Sequence, residues 1–419
     1  MSSEIISVKN LPNNPEKNGT YYIEQASPNT YTHGFFKYPC KFIPEIPRWS
    51  IKKYGNEKDI NIFDPFAGSG TTLLEGILLG NNTYGTEIDL VAKKIIKAKT
   101  NLFSMKDIQD VKYIYTEIIN KVEKEETVIY IPKINNLDHW FNKNNLEVLG
   151  KLKTSIDEIN NETIKLFFEI CFISIIKKVS NADDSSPKPY VSRKIIKTPP
   201  DALNEFKKTF LRYLLMEQEM VEENITNICT IIEGDALYFK TKIKFDLAVT
   251  SPPYINAFDY PRTMRLENLW LETIDEDMIR KSKKDYVGTE QINVKEESNK
   301  LDILNNSSIL KEIYYQIAEI DLKRALIVKK FFEDMEKNLI SVNKSLKENG
   351  YYVIVIGDST IRKINVPSWK IIKEIALKNG YSYETNFSYV IRNPYIRFPR
   401  NNKGGKISSD CVLVIKKES

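Results

Sequence analysis

Histidine and cysteine are nearly absent from this sequence. Its 419 residues hold two histidines, His33 and His139, and four cysteines, Cys40, Cys171, Cys229 and Cys411, with no Cys-x-x-Cys pair. Zinc and haem sites need clustered thiolates or imidazoles, so no resident metal is expected. Scattered thiols suit a reduced, cytoplasmic setting better than a disulfide framework. Long apolar runs are missing too: nothing approaches the ~20 residues of a membrane-spanning helix. The opening segment Met1 to Lys17 is polar and broken by Pro12 and Pro15, unlike a signal peptide. Charge of one sign is also lacking. Sixty-one Lys and Arg against 56 Asp and Glu leave a net +5, which permits a polyanionic partner without demanding one. No internal repeat or low-complexity tract stands out.

What is present is a foldable composition, 42% hydrophobic and 11% aromatic, which excludes wholesale disorder. At ~150 residues per domain the length suits two or three units, or one large α/β domain with insertions. Strand and helix signals alternate at both ends. Asn61 to Phe63 runs into a glycine turn, Thr71 to Leu79 reads as a helix, Asn82 to Glu87 as a strand, and Leu90 to about Asn101 as a second helix. Later, Phe245 to Thr250 and Tyr351 to Gly357 read as buried strands. Between these two, Lys329 to Leu346 reads as a helix that stops at Gly350. Trp369 to Lys378 reads as a further helix, before a closing hairpin of Tyr381 to Arg392 and Cys411 to Ile415. This grammar predicts a doubly wound, mostly parallel α/β sheet. Residues 106–230 instead repeat apolar positions at helical spacing, far more chain than a ~2 to 6 residue βα connection requires. The predicted organisation is therefore a catalytic domain begun in 1–105, a helical insertion at 106–230, and a catalytic remainder at 231–419 with a smaller insertion near 272–325.

Two turns carry the chemistry. In Asp64-Pro65-Phe66-Ala67-Gly68-Ser69-Gly70-Thr71-Thr72 a strand ends, glycines let backbone approach a ligand, and a helix starts with its N–H groups exposed. No Lys follows Gly70, so it is not a phosphate-binding P-loop, and Leu73 replaces the third glycine of a dinucleotide fingerprint. Glu87, nineteen residues after Gly68, closes the next strand where a carboxylate can meet ribose hydroxyls. Asp89 is placed to cap the helix that follows. The second turn is Ser251-Pro252-Pro253-Tyr254, at the end of the strand Phe245 to Thr250. Paired prolines break the ladder, and a hydroxyl, a free carbonyl and an aromatic face then border a site outside a strand's carboxyl end.

Together these turns resemble the S-adenosylmethionine-dependent amino DNA methyltransferases, which carry an FxGxG cofactor turn and a (D/N/S)PPY catalytic turn. Gly234-Asp235-Ala236 resembles the family's adenine-reading acidic motif, and Lys41-Phe42-Ile43-Pro44-Glu45-Ile46-Pro47-Arg48 the segment preceding the glycine turn. The resemblance spans roughly 30–100 and 230–419. It implies the Rossmann-like methyltransferase fold, S-adenosylmethionine as cofactor and double-stranded DNA as substrate. It also implies catalysis by Ser251, Pro252, Pro253 and Tyr254. Cofactor binding would fall to Lys41, Phe42, Pro44, Asp64, Pro65, Phe66, Ala67, Gly68, Gly70, Thr71, Thr72, Glu87, Ile88, Asp235 and Ala236. Serine in the first catalytic position goes mostly with N4-cytosine and Asp or Asn with N6-adenine, so Ser251 favours cytosine and leaves adenine as the alternative. RNA amino groups are a further alternative. A restriction-modification setting would add a cognate endonuclease as partner; no membrane partner is implied. Cys40 follows a proline but precedes the glycine turn, which does not match carbon-5 cytosine methylation, and it reads as a small buried hydrophobe.

Basic residues mark where DNA would lie. Residues 177–213 hold nine Lys or Arg against four acids, among them Arg193, Lys194 and Lys197. Arg392, Arg397, Arg400, Lys403 and Lys406 occur with no acid between 391 and 406, and with Tyr395 and Phe398 interleaved. Tyr260, Arg262 and Arg265 follow the catalytic turn and suit either the DNA backbone or an ion pair with the Glu267 helix. Sequence recognition is expected from 106–230, aided by 272–325.

Overall fold

A computed structural model describes residues 5–24, 29–39, 41–55, 59–194, 196–255, 259–391 and 408–419. Its strands are β1 (Ile5–Val8), β2 (Thr20–Ile23), β3 (Asn61–Asp64), β4 (Asn82–Gly85), β5 (Cys229–Ile231) and β6 (Phe245–Thr250). They continue as β7 (Leu346–Ile356), β8 (Ser359–Ile361), β9 (Ile364–Val366), β10 (Tyr381–Val390) and β11 (Ser409–Lys417). Nine of them form one sheet in the order β1-β2-β10-β11-β7-β6-β3-β4-β5, and β8 and β9 form a separate hairpin. Every pairing from β5 through β7 is parallel, whereas β11 runs antiparallel to both β7 and β10. The expected doubly wound, mostly parallel sheet is thus present. β1 and β2 add an edge that the polar, proline-broken opening segment did not announce.

Period-two alternation assigns the two faces. Phe63, Ala248, Tyr352 and Ile354 pack under the helices Leu322–Ser345 and Ser368–Leu377. Their neighbours Ile62, Leu247, Val249, Val353 and Val355 face the opposite layer, where the helix Glu45–Tyr54 lies. Both faces are covered, so β7 is buried from Tyr352 to Ile356 and reads as a continuous apolar run. The long helix ends at Ser345, one residue before the expected Leu346, and Gly350 falls inside β7 instead of stopping the helix. Strand β7 begins at once, and its register against β6 jumps between Phe245–Leu346 and Leu247–Tyr351. A bulge at 347–350, with Asn349 at φ 62°, absorbs the glycine signal.

Between β4 and β5 the helices Met105–Glu123, Lys143–Asp157, Glu162–Val179 and Ala202–Glu222 fill the predicted helical stretch. Their apolar faces form one continuous cluster with Phe35, Phe36, Val91, Ile95 and Trp270, outside the insertion. The helical segment therefore shares a core with the sheet's flank. Among the described residues no helix is long and apolar enough to cross a membrane. Gly76, within the helix Thr71–Leu78, allows that helix to sit against β4: a Cβ there would stand 2.2 Å from Thr83 Cγ2. Thr83 is buried and stiff, so Gly76→Ala is expected to destabilise the fold by about 1–3 kcal/mol, read as a lower midpoint in urea at unchanged slope.

Candidate active site

The sheet order reverses between β3 and β6, and the two chemical turns leave the carboxyl ends of those adjacent strands. A crevice outside such a switch point is where open α/β sheets take ligands. Asp64, the last residue of β3, ties the two strand ends together. Its Oδ1 accepts hydrogen bonds from Thr250 Oγ1 at 2.6 Å and from the Phe66 amide at 3.1 Å. Thr72 Oγ1 donates to the Val249 carbonyl at 3.2 Å, a second strut between the same turns. Burial, only partly offset by these bonds, pushes the Asp64 carboxyl up to about 6. Asp64 and Thr72, expected to touch the cofactor, thus act behind the cleft wall.

Gly70 adopts φ 76°, a left-handed conformation that suits glycine, and this lets the helix Thr71–Leu78 start directly at the turn. The turn is held from the side by Glu87. Its Oε2 accepts from the Gly68 amide at 2.8 Å, and its Oε1 from the Ile88 and Asp89 amides, each at 2.8 Å. A carboxylate offers about four acceptor places, so roughly one is left for a ligand. Burial first, and then the neighbouring Asp89, push the Glu87 carboxyl up to about 7. Asp89 caps the next helix as expected, its Oδ1 accepting from the Ala92 amide at 2.8 Å.

The cleft has about 790 Å³ of empty space open to solvent. Pro65, Phe66, Ala67, Gly68, Ser69 and Thr71 line it from the first turn, Glu87 and Ile88 from the end of β4, and Lys41 and Phe42 from the preceding segment. Asp235 and Ala236 line it opposite, beside Leu237; Asp235 Oδ1 accepts from the Leu237 and Tyr238 amides at 2.7 and 2.8 Å. Asn338 Nδ2 donates to the Ala236 carbonyl at 2.7 Å, which fixes that loop to the long helix. Ser251 and Pro253 open onto the same cleft. The structure therefore brings both turns to one space. Pro44 and Gly70 lie outside the lining, Pro44 at the start of the helix Glu45–Tyr54. Pro252 is buried beneath the turn, and Tyr254 stands beside the cleft, half-buried, with its hydroxyl on Asp410. Lys41 Nζ donates to the His33 carbonyl at 2.8 Å, and burial lowers its ammonium to about 8.

A family model described as "DNA methylase", of the N6/N4 methyltransferase type, matches residues 3–98. The Type II methyltransferase M.MvaI of Kocuria varians is 29% identical over 409 residues, covering 91% of this chain and 89% of that protein. Both matches liken the chain to the amino DNA methyltransferases. The chain is also 26% identical to the Type II methyltransferase M.BsoBI of Geobacillus stearothermophilus, across 78% of this chain and 65% of that protein. Among solved structures, the rRNA methyltransferase AviRa of Streptomyces viridochromogenes aligns over 90% of this chain and 85% of its own, at 7% identity and a TM-score of 0.32.

Several cleft residues escaped the sequence reading. Ser69 sat inside the quoted turn; Tyr38, Thr86, Asp285 and Val287 carried no local signal. Tyr260, expected to meet either DNA or a helix, has its ring stacked between Tyr38 at 6.2 Å and Tyr286 at 6.1 Å, along the cleft. Tyr286 comes from the second insertion and donates to Asp89 Oδ2 at 3.2 Å. Arg265 pairs with Glu276, not with its own Glu267 helix, and lies over the Trp140 ring. Lys197 corrects another expectation. At 13% side-chain exposure, its Nζ donates to the Lys177 and Ala182 carbonyls and to Asp184, so it holds its own loop. Arg193, Lys194 and Arg262 are exposed. Arg392, Arg397, Arg400, Lys403, Lys406 and Cys40 lie outside the described residues.

Proposed function

We propose that this chain methylates the exocyclic N4 of cytosine in duplex DNA, as the modifying partner of a cognate endonuclease in a restriction-modification system. The observation that carries the reading is the opening of Ser251 and Pro253 onto the same cleft as the Gly68 turn and Glu87. A base presented at Ser251 would stand next to whatever the glycine turn holds.

The cleft suits S-adenosylmethionine on chemical grounds. Ser69 Oγ is buried in the turn and has no partner among the described residues, so it is available to the amino-acid end of the donor. Glu87 has acceptor capacity left for ribose hydroxyls, while Phe42, Ile88 and Leu237 offer apolar surface to a purine. Asp64, Thr72 and Gly70 support from behind. When bound, the donor supplies an electrophilic sulfonium methyl group. The chain's own task is to prepare the nucleophile. An exocyclic amino nitrogen is poor because its lone pair is delocalised into the ring. Acceptance of its two N–H hydrogens by Ser251 Oγ and the Pro252 carbonyl would draw it toward tetrahedral geometry and free that pair. Positioning then supplies much of the rate. Because the amino group is shielded inside a duplex, the base must flip out, and Tyr254 offers the face that receives it. Arg193, Lys194 and Arg262 are exposed cations suited to DNA phosphates, and the helices within 106–230 suit target reading.

The test is product identity. Protein, labelled donor and mixed-sequence duplex DNA are incubated, the DNA is digested to nucleosides, and products are resolved by mass spectrometry. N4-methyldeoxycytidine is expected. N6-methyldeoxyadenosine would overturn the base assignment alone, and label confined to RNA would overturn the substrate.

A further inference from the structure

The Tyr254 hydroxyl donates to Asp410 Oδ1 at 2.5 Å, and the Tyr389 hydroxyl donates to the other carboxylate oxygen at 3.0 Å. Tyr389 on β10 and Asp410 on β11 stand directly opposite each other in the antiparallel register, 2% and 5% exposed. Tyr254 reaches this pair from a different part of the sheet, 156 residues away along the chain. Among the described residues no Lys or Arg pairs with Asp410. The carboxylate is desolvated with two phenols as its compensation, and burial pushes it up to about 6. Such burial is costly, and an apolar residue would fill the space without that cost. A half-buried tyrosine ring at the end of a turn can swing about two side-chain torsions. A charge-assisted bond at its tip removes that freedom, as strands β10 and β11 fix the acceptor.

Resting on the methyltransferase reading of Ser251 to Tyr254, we propose that Asp410 is a positioning residue for base capture. It holds the Tyr254 ring at the angle at which a flipped base stacks, and Tyr389 holds Asp410. The carboxylate touches neither base nor donor; its effect runs through the Tyr254 phenol. Two consequences separate this role from plain structural support. Removing only the phenol oxygen must slow the methyl-transfer step even though the ring remains. Removing the carboxylate must then do nothing further.

The experiment is a double-mutant cycle with Tyr254→Phe and Asp410→Asn in the full chain, read by single-turnover methylation of duplex DNA, by KM for DNA, and by calorimetric binding of S-adenosylmethionine. Each single variant is expected to lose about tenfold or more in single-turnover rate, since misplacement of a reacting group is costly. Donor affinity and KM for DNA should stay within about twofold, less than a 1.4 kcal/mol, tenfold step. The double variant should be no slower than Tyr254→Phe alone. Tyr389→Phe serves as a milder version that leaves the Tyr254 bond in place, with a smaller loss expected. Wild-type rates in Tyr254→Phe, or a further loss when Asp410→Asn is added to it, would overturn the proposal while leaving the methyltransferase reading intact. A wild-type protein that labels no nucleic acid would overturn that reading, and the proposal with it.

Discussion

Tyr254→Ala should lose about a hundredfold in turnover while donor affinity stays within about twofold of wild type. Stacking of a base on an aromatic side chain is worth about 1–3 kcal/mol, or roughly tenfold to a hundredfold, and the alanine removes the whole stacking face. Looser placement of the base beside Ser251 adds to the loss. Donor binding should survive because Tyr254 stands beside the cleft rather than in its lining, whereas Gly68, Glu87 and Ser69 are untouched. Some stability goes as well, since Tyr254 packs against the core under the long helix and bonds to Asp410. The thermal midpoint should therefore drop, and rates are compared well below it. Labelled-methyl incorporation and titration calorimetry read the two quantities separately. Methylation near wild-type levels would remove Tyr254 from the catalytic turn's function.

Glu87→Ala should show the opposite signature. Three backbone amides, those of Gly68, Ile88 and Asp89, lose their acceptor at once, and Gly68 and Ile88 line the cleft. A hydrogen bond to a charged group is worth about 1.5–3 kcal/mol, so donor affinity is expected to fall by about a hundredfold. Glu87→Gln, which keeps one oxygen acceptor, should fall by less. Protonation offers a second readout. Burial holds the free carboxyl near 7, so close to neutral pH much of it carries a proton. Hydroxyl donors from a ligand favour the ionised form, which lowers the pKa and releases that proton on binding. Calorimetry in buffers of different ionisation enthalpy should detect the release in wild type and not in Glu87→Gln. An unchanged dissociation constant in Glu87→Ala would place the ribose contact elsewhere.

Legibility of the site followed the range of the interactions. The Gly68 to Thr72 turn, Ser251 to Tyr254 and the Asp89 cap are fixed by chemistry within a few residues, so their place on strand ends and helix starts could be read directly. Glu87 was legible because strand spacing sets its distance from the glycine turn. Tyr38, Tyr286 and Asp410 were not, because their roles arise only when segments far apart in the chain are folded against one another. Lys197 shows the converse. A basic cluster in a proline-rich loop reads as a phosphate surface, yet one of its cations is spent on the Lys177 and Ala182 carbonyls nearby in the chain. The helical stretch after β4 was recognisable by periodicity. Its shared core with Phe35, Val91 and Trp270 was not, since periodicity shows that a face is buried and not against what.

Strand β11 gives the fold an unusual order of assembly. It follows the other ten strands of the described residues along the chain, yet it lies in the interior of the sheet, with β7 on one side and β10 on the other. Protein synthesis runs from the amino terminus, and domains tend to fold as they emerge. A growing chain that has not yet reached residue 409 already holds the glycine turn and the Ser251 turn. It still has two unpaired strand edges where β11 will insert, and such edges invite pairing with other chains. Insertion of β11 joins β10 to β7 from inside the sheet. A ribosome that stalls, or a message that stops short of β11, would yield a chain prone to aggregate rather than a partly active enzyme.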